Sequence, residues 1–209
     1  MAEQQYIFVH GLGQNASSWN KVVSLMPESF SIDCPDLTIF CDGRINYTNL
    51  YRNFSNYCNE FTKPLNLCGL SLGGIFALNY ALDNPEKVQS LVLIGTQYKM
   101  PKTLLKLQNI VFRIIPKSAF KGIGFQKHDF IKLTNSMINL DFSERISSIN
   151  CPTLILCGKK DSANKKASEG LAASIMDAKF QLVENAGHQI NADNPEELAS
   201  IIRTFASSL

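Results

Sequence analysis

The 209-residue chain is 45% hydrophobic and 18% charged, with a net charge of +2. This is the balance of an ordinary globular domain, and the near-neutral charge argues against nucleic acid as a partner. No run reaches the roughly 18 apolar residues of a membrane span. The start, Met1-Ala2-Glu3-Gln4-Gln5, has neither the basic nor the apolar region of a leader. One cytoplasmic domain is expected, and the oligomeric state is left open.

Tyr6-Ile7-Phe8-Val9-His10 is a compact apolar strand that runs into Gly11-Leu12-Gly13. Trp19, Val22, Val23 and Met26 then recur at helical spacing, which predicts a helix from about Ala16 to Met26 with Asn15 as N-cap. Phe30 to Cys34 reads as a second strand closed by Pro35-Asp36, followed by a helix over roughly Tyr47 to Phe61 that Lys63-Pro64 ends. Leu65 to Leu70 is the third strand. A helix runs from Ser71 to about Leu82, and Val88 to Gly95 is a near-continuous apolar strand of the kind a two-sided parallel sheet uses. Thr153 to Cys157 and Lys179 to Val183 complete the strands. Asn194-Pro195-Glu196-Glu197 starts the last helix, with Asn as N-cap, Pro at N1 and Glu at N3. The alternation predicts an α/β fold with a mostly parallel sheet of about six strands flanked by helices. Cysteines 34, 41, 58, 68, 151 and 157 form no Cys-x-x-Cys pair and several lie in apolar runs, so they read as reduced core residues and not as metal ligands.

Residues 97–150 interrupt the rhythm between the fourth and fifth strands. They read as a short helical cap inserted into a core made of residues 1–96 and 151–209. Leu104, Leu107, Val111 and Ile114 make an apolar stripe; Lys102, Lys106, Asn109, Arg113 and Lys117 make the opposite one. Phe130, Ile131, Thr134, Met137 and Ile138 suggest a second short helix. Between residues 97 and 135, eight lysines and arginines stand against Asp129 alone, a local charge of about +7, so the remainder carries about −5. A solvated helix face is the simple expectation; weak contact with an anionic membrane surface, or attraction of an anionic substrate, is the alternative.

Gly69-Leu70-Ser71-Leu72-Gly73 lies between an apolar strand and a helix. That order forms a nucleophile elbow, in which a cramped turn holds the serine hydroxyl above a helix N-terminus. Serine chemistry then needs a base, an acid that orients it and donors for an oxyanion. Of His10, His128 and His188, only His188 follows the last strand, at the sheet edge where Ser71 emerges. Asp161, directly after the Thr153–Cys157 strand, can orient it; Asp141 and Glu144 are weaker candidates. The backbone N–H groups of Leu12 and Leu72 are the expected oxyanion donors.

The order Ser71, Asp161, His188, with His10-Gly11 upstream, resembles the α/β-hydrolase superfamily over nearly the whole chain. Asp83-Asn84-Pro85 leading to Val88, and Ala186-Gly187-His188 leading to Pro195-Glu196, extend the resemblance. It implies Ser71 as nucleophile, His188 as base, Asp161 as acid, and Leu12 and Leu72 as oxyanion donors. Two departures stand out. Members usually carry an antiparallel strand pair before the His-Gly strand, and Leu37-Thr38-Ile39-Phe40-Cys41-Asp42-Gly43 stands where many carry Gly-His-Gly. The expected function is hydrolysis of small-molecule carboxylic esters or thioesters through an acyl-enzyme, without a cofactor or metal. Acyl transfer, C–C hydrolysis or a lyase reaction would use the same three residues, and a ligand-binding protein with little turnover is the reading of another class.

Overall fold

The computed structural model describes residues 4–120 and 124–209; the side chains of residues 104, 106, 107, 117 and 119 lie outside the description. Six strands, β1 (Gln4–Val9), β2 (Phe30–Asp33), β3 (Leu65–Leu70), β4 (Val88–Ile94), β5 (Thr153–Gly158) and β6 (Lys179–Val183), form one sheet in the order β2-β1-β3-β4-β5-β6. Every neighbouring pair is parallel. The central strands pair Val9 with Gly69, Leu70 with Ile94, and Ile94 with Leu156, so their carboxyl ends reach one edge together.

Between them run α1 (Asn20–Val23), α2 (Tyr47–Asn59), α3 (Leu72–Asp83), α4 (Lys102–Ile114), α5 (Lys127–Met137), α6 (Ser162–Ser174), α7 (Ile190–Asp193) and α8 (Pro195–Ala206). The apolar strands have no polar side because helices cover both faces. Ile7, Val9, Leu91, Leu93 and Ile155 join one core with Phe54 and Phe76. Their neighbours Tyr6, Phe8, Val92, Ile94, Leu154 and Leu156 join a second with Trp19 and Ile202. This period of two, apolar on both faces, accounts for the unbroken hydrophobic runs. All six cysteines are free thiols.

The first helix differs from expectation. Residues 16–19 form a 3-10 turn capped by Asn15, and α1 spans four residues only. The Asn15 side chain accepts from the Ser17 backbone N–H, which ties the chain into a tight turn before the α pattern begins. The expected cap on α8 is present: the Asn194 side chain accepts from the Glu197 N–H.

Residues 97–150 carry α4 and α5, which pack on each other, while α5 also meets α2. The ends of this segment are pinned together: Met100 N–H donates to the Leu140 carbonyl at 3.0 Å and Phe142 N–H to that of Tyr98 at 2.8 Å. Lys99 and Asp141 close the stem with an exposed ion pair of 2.8 Å. The solvated face expected on α4 is corrected at Asn109. Asn109 is buried and Leu105 and Phe112 are half-buried, whereas Val111 and Ile114 are exposed. The reason is a polar anchor: Asn109 donates to Asn135 at 2.7 Å and accepts from the Thr134 hydroxyl. Phe112 packs edge-on against Phe120 and Phe130 on that same side. The expectations for Leu104, Leu107, Lys106 and Lys117 fall on side chains outside the description.

Candidate active site

Ser71 stands between β3 and α3 with φ +54° and ψ −113°. Few non-glycine residues occupy such a conformation, and it persists only where the surroundings impose it. Here the Ser71 N–H donates to the Ile94 carbonyl at 2.8 Å, and its own carbonyl accepts from the Ile75 N–H at 3.0 Å. Glycine is required on both sides by close approach. A Cβ on Gly69 would lie 2.4 Å from the Gly73 carbonyl, and one on Gly73 would lie 2.2 Å from that of Val9. The elbow is thereby pressed against the end of β1.

His10, at that end, is buried and fully engaged. Its Nδ1 lies 2.9 Å from the Gly11 carbonyl and its Nε2 accepts from the Leu37 N–H at 3.0 Å. Nδ1 therefore carries the proton. Burial pushes its pKa below the usual histidine value, against smaller upward effects of the Gly11 carbonyl and Asp36. It is a neutral strut that joins the turn after β1 to the chain after β2. His128 is exposed and pairs with the adjacent Asp129 at 3.0 Å.

The ends of β5 and β6 supply the remaining groups. Asp161 follows β5 and is the N-cap residue of α6. His188 follows β6 in a loop held by the Gly187 N–H, which donates to Asp193 at 2.7 Å, and by the Lys160 N–H on the Ala186 carbonyl at 2.9 Å. His188 Nδ1 lies 2.7 Å from Asp161 Oδ2. The Asp161 side chain is 5% exposed and that of His188 39%. Burial alone would raise the Asp161 carboxyl, but hydrogen bonds from His188 and then Asn164 outweigh it and hold the group below the ordinary carboxylate value. An ionised Asp161 accepts, so Nδ1 donates, and in the neutral ring the lone pair is then on Nε2.

Ser71 and His188 line one cavity of about 510 Å³ with Asp161 at its wall, within the usual size of a small-molecule site. Its apolar walls come from Leu12, Leu72 and Ile75 on the sheet side and from Met100, Leu105 and Met137 on the other. Asp161 and His188 are the acidic and basic side chains among its described lining residues, which include no lysine or arginine.

The profile described as the alpha/beta hydrolase family matches residues 6–201. The chain belongs to the alpha/beta hydrolase family. It is 23% identical over 256 residues to the monoacylglycerol lipase ABHD6 of Homo sapiens, covering 97% of this chain and 75% of that protein. It is 21% identical to the putative 2-succinyl-6-hydroxy-2,4-cyclohexadiene-1-carboxylate synthase of Bacillus subtilis (strain 168), covering 100% of this chain and 92% of that one. In fold it is similar to the enol-lactonase from Burkholderia xenovorans LB400, with a TM-score of 0.85 at 15% identity, covering 99% of this chain and 92% of that one.

In this alpha/beta hydrolase the sequence-predicted Ser71, Asp161, His188, Leu12 and Leu72 all come to one cavity. Asp141, one of the two weaker candidates, is engaged with Lys99 and Ser143 in the stem of the 97–150 segment. Two residues escaped the sequence reading. Asn164 Nδ2 donates to both Asp161 oxygens at 2.9 Å, and its own carbonyl accepts from Gln97 Nε2 at 2.8 Å. The available signal was the spacing: three residues after Asp161, on a helix that Asp161 begins, an amide falls back over the carboxylate.

Proposed function

We propose that this hydrolase cleaves uncharged carboxylic esters or thioesters through an acyl-enzyme on Ser71. Ser71 Oγ attacks the substrate carbonyl as His188 Nε2 takes its proton. The carbonyl π-electrons move to oxygen, and that oxyanion accepts from the N–H groups of Leu12 and Leu72. Leu72 opens α3, where the first N–H groups have no acceptor within the helix. Such donors are worth roughly 2.7–4 kcal/mol each. Collapse of the intermediate breaks the bond to the alcohol or thiol, which leaves with the proton from His188. Water then repeats the sequence, releases the acid and restores Ser71. Asp161 holds the imidazole in the useful tautomer and balances its charge while it is protonated.

The observation that carries this reading is the 2.7 Å Asp161–His188 contact beside a serine held at positive φ. The names lipase and lactonase among the relatives, both ester-cleaving, support the bond type. The residues around the cavity support an uncharged acyl group, enclosed by a cap formed from residues 97–150. A dicarboxylate like the product named for the Bacillus relative would leave its charges without a cationic partner among the described lining residues.

Hydrolysis of p-nitrophenyl esters of increasing chain length by wild type and Ser71→Ala tests the proposal. Turnover with an optimum at an intermediate aliphatic chain is expected, falling by roughly 10⁴-fold or more in the variant. Equal turnover by the two proteins would overturn it.

A further inference from the structure

α4 presents its greasy side to the outside. At about 100° per residue, Leu105, Asn109 and Phe112 fall within a sector of about 60° and pack inward. Ile110, Val111 and Ile114 lie on the opposite side and are 53%, 46% and 77% exposed. A single exposed isoleucine needs no explanation. Three aliphatic residues on one helical strip, above a buried asparagine, reverse the usual order. One border of the strip carries the exposed cations Lys102 and Arg113. At the other, Val111 lines the cavity that holds Ser71.

We propose that the outward strip of α4 docks on an anionic lipid bilayer. Ile110 and Ile114 enter the boundary between headgroups and acyl chains, while Lys102 and Arg113 meet lipid phosphates. Charge complementarity favours this occupant: residues 97–135 carry about +7 in a chain of net +2. A second copy would bring an equally cationic stripe against the first, which opposes a symmetric pairing. The strip's exposed members are aliphatic, without the aromatic anchors that concentrate protein-interface energy. In this pose Val111, part-exposed on the strip and lining the cavity, meets the acyl phase, and an apolar substrate passes from lipid to Ser71 without crossing water. Docking does not depend on the chemistry at Ser71, so it stands or falls apart from the hydrolase proposal.

The test is cosedimentation of the full chain with vesicles of phosphatidylcholine, with and without phosphatidylglycerol, at low and high salt. Binding to the anionic vesicles is expected, weaker at high salt and equal in Ser71→Ala. Ile110→Ser with Ile114→Ser should weaken it by roughly tenfold or more. Neither residue lines the cavity, so turnover of a soluble short-chain ester stays unchanged and reports an intact fold. Should that pair fold poorly, Lys102→Gln with Arg113→Gln keeps the apolar strip and should lower binding to anionic vesicles alone. Absence of vesicle binding, binding indifferent to both pairs, or a dimer that the isoleucine substitutions dissociate would overturn the proposal.

Discussion

Asn164 offers the sharpest test of how the site is tuned. Asp161 is 5% exposed, and its carboxylate takes hydrogen bonds from His188 and from Asn164, the latter reaching both oxygens at 2.9 Å. Asn164→Ala leaves His188 and removes the amide. A hydrogen bond to a charged group contributes roughly 1.5–3 kcal/mol. If that whole amount fixes the carboxylate against the imidazole as the imidazolium forms, kcat/KM falls by roughly 10- to 100-fold, at 1.36 kcal/mol per factor of ten. The pH profile moves as well. The folded carboxyl lies below its unfolded value. Its contribution to stability is therefore present above about pH 4 and fades as pH falls through the folded value. Without Asn164 the folded value rises, so the contribution shrinks at neutral pH and activity begins to fail at a higher pH on the acid side. The assay is kcat/KM across pH for wild type and Asn164→Ala, beside urea denaturation. A lowered stability with an unchanged pH profile and rate would show that Asn164 only braces α6, and would refute the reasoning.

Three further outcomes follow from the same contacts. His10→Ala removes the acceptor of the Leu37 N–H and should cost about 1–3 kcal/mol in urea denaturation at neutral pH. Because burial lowers the folded His10 pKa, the unfolded chain takes up a proton first. Wild-type stability should therefore fall as pH drops below about 6.5, and less steeply in the variant. Gly73→Ala places a methyl group 2.2 Å from the Val9 carbonyl and should destabilise by roughly 3 kcal/mol or more, read as a lowered Tm with lost turnover. Phe76→Ala empties a fully buried position where the ring stacks on Phe54 at 5.5 Å, and should cost about 3–5 kcal/mol in urea while leaving the pH profile of activity unchanged.

What could be read from residues alone depended on how local the determinant is. The β3 strand, the elbow and α3 were legible because Gly69 and Gly73 answer a steric demand within a few residues. Asp161 and His188 were legible because parallel strands deliver their carboxyl ends to one edge, whatever the intervening chain does. The helix α6 went unread because its sequence, rich in serine, alanine and lysine, buries only Ser168 and Leu171 and so leaves little periodic signal. Asn164 was missed with it. On α4 the period was legible but the direction was not. Periodicity gives the angle between apolar residues, and only the partners Thr134, Asn135 and Phe130 decide which side turns inward. The helix expected from Ala16 starts on its expected Asn15 cap, but its first turn is 3-10 and its α part spans four residues only.

The central claim is that Ser71 is a nucleophile activated by His188. The most direct measurement is covalent labelling by an alkyl fluorophosphonate, followed by mass spectrometry of the intact protein and its peptides, for wild type, His188→Ala and Ser71→Ala. One adduct located on Ser71 is predicted in the wild type, forming far more slowly without His188 and not at all without Ser71. An adduct on another residue, or labelling of Ser71 at the same rate without His188, would contradict the claim.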